Sequence, residues 1–308
     1  MANSKKTAVL LLAHGSPDSV DQVPDFLLRV TGGRPLPQPV VDEVKHRYGL
    51  IGRSPLTELT LMQAERLGGE MGMPVYVGMR NWNPFIADAV NNMVKDGIEY
   101  AVAICLAPQN SRTSVGLYRS ALAETGTPFT VDFVESWHDQ PGLIRAFAEK
   151  LRIGWNRACD EAKTENVPII FTAHSVPERT ITDGDPYESQ AKETALLVAR
   201  EAALAAEDWT FAFQSQGMSG GAWLGPRVED TILRLKEKGH RNVFLQPIGF
   251  LCDHVEVLYD IDIAFKEFAG KQGMRLWRAE SLNDSSLLAA ALADVARSRS
   301  SQSLLANK

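Results

Sequence analysis

Seven short apolar runs set the terms for this chain: AVLLLA (8–13), PVYVGM (74–79), YAVAICLAP (100–108), FTVDFVES (129–136), PIIFTA (168–173), WTFAFQS (209–215) and NVFLQPIGF (242–250). They are rich in Val, Ile and Phe, and their hydrophobicity is nearly continuous instead of alternating. A strand apolar on both faces must be covered on both, which is the situation in a parallel sheet flanked by helices. Segments with helical spacing lie between the runs, at about 55–72, 84–96, 141–163, 185–206, 226–239 and 255–270. This alternation predicts an α/β fold built on parallel sheets. At 308 residues the chain has room for two domains of roughly 150 residues. A chain this long can bury its cores without disulfides or metal staples.

The first run ends in LLLAHGSP (10–17), and the wording returns as IIFTAHSVP (169–177). Each copy is a strand, a His at its end, and Ser and Pro in the turn. The echo predicts two similar halves, 1–140 and 141–308, each a parallel sheet flanked by helices. Two strand-to-loop junctions sharing turn chemistry would read the same way, and five residue types do not decide between the two. TGGRPLPQP (31–39) has Gly/Pro punctuation without periodicity and reads as a loop or lid. QSQGMSGGAWLGP (214–226) is a long loop after a strand, where α/β proteins place ligands. SRSSQSLLANK (298–308) reads as a frayed tail.

Composition removes several function classes. The formal net charge is −6, with no block of five or six like charges, which argues against nucleic acid or an anionic membrane surface as partner. The three cysteines, Cys105, Cys159 and Cys252, form no C-x-x-C pair. They suit a reducing compartment and are too few for the four thiolates of an iron–sulfur cluster. No apolar stretch approaches the ~18 residues of a membrane span, and the first run is short for a signal peptide, so a cytoplasmic protein is expected. No dinucleotide-binding, Walker, nucleophile-elbow or H-E-x-x-H motif occurs.

Two places could carry chemistry. His174 stands at the carboxyl end of a buried strand, where a neutral imidazole can accept a proton or bind a metal. A satisfied turn histidine fits that position equally well. GFLCDHVEVLYDIDIAFKE (249–267) follows another strand, and Asp253 and Glu256 have the spacing of a capping box. On a regular helix, Asp253, Glu256, Asp260 and Glu267 would share one face. Such a stripe of like charges is costly as scaffold and would attract a hard divalent cation. In GRSPL (52–56), Arg53 and Ser54 precede a helix start that could take an anion or be only a helix start.

FTAHSVPER, GDPY, WLGP and GFLCDHVEVLYDIDI, with RSPLTELT, NPFIADAVNNMVKDGI and LAPQNSRTSVGLY, resemble the ferrochelatases in unbroken order from about Leu10 to about Lys266. The resemblance implies two Rossmann-like, chelatase-type halves with a porphyrin cleft between them. It implies a metal-inserting lyase of heme biosynthesis, acting on a porphyrin and Fe2+, with iron as substrate and no tightly bound cofactor. His174 and Glu256 would be the catalytic pair. His174, Glu256 and Asp260 would meet the metal, with Asp253 beside its approach. His14 would face the ring's other side as an axial ligand. Trp137, Trp223, Phe250 and Met79 are wall candidates, with a core role equally open for each. Arg47, Ser54 and Tyr118 match positions that hold propionates in the coproporphyrin-using branch. That favours coproporphyrin III over protoporphyrin IX. A monomer is expected. The chain departs from the pattern at His14, where Tyr is expected, and at Thr31 and Gly32, where an Arg pair is expected and only Arg34 is kept. It departs again at Asn81, in place of His, and at Ala264, in place of a carboxylate. Rival readings are a sirohydrochlorin cobalt- or iron-chelatase and a non-catalytic tetrapyrrole carrier on the same fold.

Overall fold

In the computed structural model, residues 5–217 and 221–306 are described. Positions 218–220 of the 214–226 loop and 307–308 of the tail lie outside the described residues. The chain divides into two compact units, Met1–Pro108 with Ser114–Trp137 and Asn283–Lys308, and Gln109–Thr113 with His138–Leu282.

The first unit contains β1 (Thr7–Ala13), α1 (Val23–Val30), α2 (Gln38–Ile51), α3 (Leu56–Met71), β2 (Val75–Met79), α4 (Ile86–Lys95), β3 (Tyr100–Cys105), α5 (Val115–Ala123) and β4 (Thr130–Val134). Its sheet is parallel, in the order β2-β1-β3-β4. β1 is central, with Leu10 opposite Tyr76 on one side and Ala103 on the other. Ala8 to Leu12 are fully buried, which is what the uninterrupted apolar run demands. One sheet face packs Leu10 and Leu12 against Ile86, Val90 and Met93 of α4 and Val115 and Leu122 of α5.

The second unit runs α6 (Pro141–Ala162), β5 (Ile169–His174), α7 (Glu178–Thr182), α8 (Tyr187–Glu201), β6 (Trp209–Gln214), α9 (Val228–Glu237), β7 (Asn242–Pro247), α10 (Val255–Leu258), a π-helical turn (Asp260–Phe265), α11 (Lys266–Lys271) and β8 (Arg275–Arg278). This sheet is also parallel, in the order β6-β5-β7-β8. The two sheets therefore share one topology, with the first strand of each second in its sheet. Connections from that strand wind to one side and then the other. The carboxyl end of such a strand is the switch point where open α/β sheets bind ligands. His174 closes β5, and His14 immediately follows β1.

Several details differ from the sequence reading. The last helix, α12 (Ser286–Ala306), belongs with the first unit and not with the C-terminal half. Its residues Leu288, Ala291, Leu292 and Ala296 are buried, and it packs along α3 and β3. Arg66 pairs with Asp284 at 2.6 Å, and Gln63 donates to the Asn283 carbonyl at 2.7 Å, so polar contacts tie down its entry. The helix continues through 298–306, where a tail was expected, because the polar SRSSQS stretch hides a continuing helix. The expected loop at 31–39 is shorter: Gly32 and Gly33 turn the chain at φ 64° and 86°, and α2 begins at Gln38. Helix 255–270 is not one helix. The Ala264 N–H donates to the Tyr259 carbonyl at 2.9 Å, an i to i+5 bond that inserts the π turn. Among the described residues no helix is long and apolar enough to cross a membrane.

Candidate active site

β5 delivers His174 to the edge of its sheet, and the turn beyond is tightly held. The Ser175 N–H donates to the Gln214 carbonyl at 2.7 Å, and the Tyr187 hydroxyl donates to the His174 carbonyl at 2.9 Å. Nδ1 of His174 bonds the Ser175 carbonyl oxygen. A carbonyl oxygen can only accept, so this bond needs the ring proton on Nδ1 and leaves Nε2 as the basic atom. That Nε2 lies 3.6 Å from Oε1 of Glu256. A carboxylate there stabilises the imidazolium formed when Nε2 takes a proton.

Glu256 comes from the first turn of α10, and a polar chain fixes its backbone. The Thr172 hydroxyl donates to the Gln214 side chain at 2.7 Å, and Gln214 Nε2 donates to the Glu256 carbonyl at 3.1 Å. Thr172 and Gln214 are both buried. The second carboxylate oxygen of Glu256 lies 3.7 Å from Nε2 of His254. His254 Nδ1 bonds the Cys252 carbonyl at 3.0 Å, which selects the same tautomer as in His174. Burial alone would lower the pKa of His254, but the Glu256 carboxylate, the Cys252 carbonyl and the charge of Asp260 raise it above the usual imidazole value. One carboxylate thus bridges two imidazoles. The His174 and Glu256 side chains are 33% and 35% exposed and His254 only 14%, so the first two can meet a substrate while the third backs them. The Phe250 ring stands edge-on to both histidines, 6.4 Å from His174 and 4.6 Å from His254.

The acidic stripe does not form. Asp253 lies 3.1 Å from Arg278 and accepts a bond from Ser281 at 2.8 Å. Asp262 also binds Arg278, at 2.7 Å. Glu267 pairs with Lys271 at 2.7 Å on the surface. Asp260 is buried and accepts a hydrogen bond from Ser215, whose backbone is left-handed at φ 57°. The π turn breaks the 3.6-residue register that would have aligned these groups. The capping box is also absent, because the helix begins one residue later, with His254 at its cap. Among the described residues, no three His, Cys, Asp or Glu side chains converge as a ready metal cage.

In the first unit His14 is exposed beside a fixed frame. The Asn81 N–H donates to the His14 carbonyl at 3.0 Å, and its side-chain nitrogen lies 3.2 and 3.3 Å from the two ring nitrogens of His14. Phe26 meets the ring edge-on at 5.8 Å. Gly15, at φ 85°, lies against Trp82, where a Cβ would come within 2.8 Å of the backbone nitrogen. Two departures from the ferrochelatase pattern, His14 and Asn81, are therefore direct neighbours. Arg47 sits on α2, 2.9 Å from Glu43. Ser54 is buried at the start of α3, and Tyr118 is buried on α5. Arg53 faces Glu58 at 3.7 Å. Of the wall candidates, Met79 is completely buried and Trp137 donates to the Cys105 carbonyl at 2.9 Å, so both are core residues. Trp223 covers Gly217, where a Cβ would lie 2.6 Å from the indole. Sequence reasoning passed over His254 and Gln214. The visible sign of His254 was its place two residues before Glu256 in CDHVE.

Two parallel four-stranded sheets with this strand order, flanked by helices, are a fold shared with known chelatases. The solved structure of the sirohydrochlorin chelatase from Bacillus subtilis subspecies spizizenii in complex with cobalt shares the fold, with a TM-score of 0.57 at 10% identity. The match covers 95% of this chain and 94% of that one. The Ferrochelatase family model matches residues 6–300. A Ferrochelatase of Acidobacterium capsulatum is 54% identical over 96% of this chain and 94% of its own length. A Coproporphyrin III ferrochelatase of Geobacillus kaustophilus is 37% identical over 96% of each. The chain belongs to the ferrochelatase family, the enzymes that insert iron into porphyrin in heme biosynthesis.

Proposed function

We propose that this enzyme inserts Fe2+ into coproporphyrin III, with His174 as the proton acceptor and Glu256 as its charged partner. The observation that carries the mechanism is the carboxylate set between two imidazoles, with the basic Nε2 of His174 facing it at 3.6 Å. Insertion breaks two pyrrole N–H bonds. Each electron pair stays on nitrogen and becomes a bond to iron, while each proton must leave. His174 Nε2 takes a proton, and Glu256 stabilises the resulting imidazolium and passes the proton toward solvent or His254. The ring is then neutral again for the second proton. General-base help of this kind is worth about 10²–10⁴ in rate. His174, Glu256 and Asp260 are read as the groups that meet the arriving ion, with Ser215 holding Asp260 in place. Among the described residues these groups form no closed cage, which suits an ion that must be released to the ring.

The choice of porphyrin rests on Arg47, Ser54 and Tyr118, which match carboxylate-binding positions, and on relatives named for coproporphyrin III. His14 is read as an axial ligand to the inserted iron, oriented by Asn81. Iron is substrate in this account, and no resident cofactor is required. Burial pushes the Cys105 and Cys252 thiols up, the latter to about 12, which leaves both poor ligands. We read the enzyme as cytoplasmic and monomeric. A steady-state assay with Fe2+ and coproporphyrin III, protoporphyrin IX or sirohydrochlorin tests the proposal. Coproporphyrin III should give the highest kcat/KM, with product far exceeding the enzyme present. A preference for protoporphyrin IX overturns the substrate assignment, and stoichiometric binding without turnover overturns catalysis.

A further inference from the structure

Arg80 immediately follows β2. Its backbone N–H donates to the Ala13 carbonyl at 3.0 Å, which ties it to the end of β1 one residue from His14. The side chain is half-buried. Most arginines of the same unit have a partner: Arg47 has Glu43, Arg66 has Asp284, Arg119 has Glu135 and Arg297 has Glu70. Arg29 lies over the Phe85 ring, and Arg34 donates to the Thr31 carbonyl. The Arg80 guanidinium, among the described residues, makes no ion pair and donates no side-chain hydrogen bond. The Tyr118 phenol is among the groups that act on it electrostatically.

Removing a guanidinium from water without a counter-ion is unfavourable, and burial accordingly lowers its pKa. Beside the carboxyl end of β1, a ligand's anion can supply the missing charge. A planar guanidinium presents paired N–H donors that match a carboxylate. We propose that Arg80 binds a peripheral carboxylate of the substrate. This rests on the porphyrin reading above and adds a specificity-determining residue to it.

The test compares wild type, Arg80→Met and Arg80→Gln in fluorescence-quenching titrations with coproporphyrin III and its tetramethyl ester. Both variants should weaken binding of the free acid by about tenfold or more, the range of a charge-assisted hydrogen bond. The ester should bind all three proteins equally. Thermal melts of the ligand-free proteins supply the second measurement. Arg80→Met should melt at or above the wild-type temperature, because it removes a half-buried charge with no counter-ion among the described residues. Unchanged affinity for the acid, equal loss for acid and ester, or lower melting temperatures in both variants would each overturn the assignment. Wild type that neither binds nor metallates coproporphyrin would instead sink the underlying substrate reading.

Discussion

His14 and His174 occupy equivalent points of two sheets with the same strand order, yet their surroundings differ in kind. The His174 ring is held by a carbonyl at Nδ1 and faces a carboxylate at Nε2. The His14 ring meets the Asn81 amide and the Phe26 edge. A carboxylate favours the charged imidazolium, whereas a neutral amide orients the ring without rewarding protonation. Topology brings a histidine to each strand end, and the neighbour then decides whether it is suited to carry a proton or to act as a ligand.

Substitutions can break this contrast. The largest effect is expected for His174→Ala, with insertion slowed about 10²–10⁴-fold while porphyrin binding persists. Steady-state rates beside a binding titration measure both, and near-wild-type turnover would end the contrast. Glu256→Gln keeps the shape and removes the charge, so insertion should fall about 10–100-fold, as for loss of an orienting partner.

His254 sharpens the contrast through stability. Its folded pKa is raised above the unfolded value, so the protonated ring favours the folded state. That contribution is fully present below the unfolded pKa of about 6.5 and is lost as pH rises through the folded pKa. Urea melts across pH 5.5–8.5, compared with His254→Gln, should show a wild-type advantage at the acid end that shrinks as pH rises. A pH-independent difference would contradict the pairing with Glu256. A smaller effect is expected at His14. His14→Ala should alter the absorption spectrum of the bound iron product while slowing turnover less than His174→Ala does. Asn81→Ala should shift the same spectrum more weakly, through a misoriented ring. An unchanged spectrum in both variants would reduce the echo to shared turn geometry.

Much of the fold was legible because strand and helix patterns are local. Among the described residues, seven of the eight strands stood out as apolar runs. The eighth, Arg275–Arg278, did not, because an edge strand flanked by arginines buries too little to leave a continuous pattern. Helix α2 was hidden by the Gly/Pro-rich segment before it and by its own exposure, since Tyr48 is its one fully buried residue. The acidic stripe was misread for a different reason. Spacing arguments assume 3.6 residues per turn, and the π turn at Asp260–Phe265 voids that assumption.

The sequence by itself determined where the strands of the described residues lie, all but Arg275–Arg278, and that each half ends its first strand near a histidine. It also carried the ordered resemblance that points to His174 and Glu256. Hydrophobic runs and motifs are written along the chain, so they survive without coordinates. Only the tertiary structure decided that one carboxylate bridges His174 and His254, that Arg278 takes Asp253 and Asp262 out of the stripe, and that no described residue gives Arg80 an anion. The His174–Glu256 pairing joins segments far apart in the chain, and the others depend on how the 249–278 segment turns back on itself. Their charges depend on burial and on the groups opposite, which become defined only when the sheets and loops close around them.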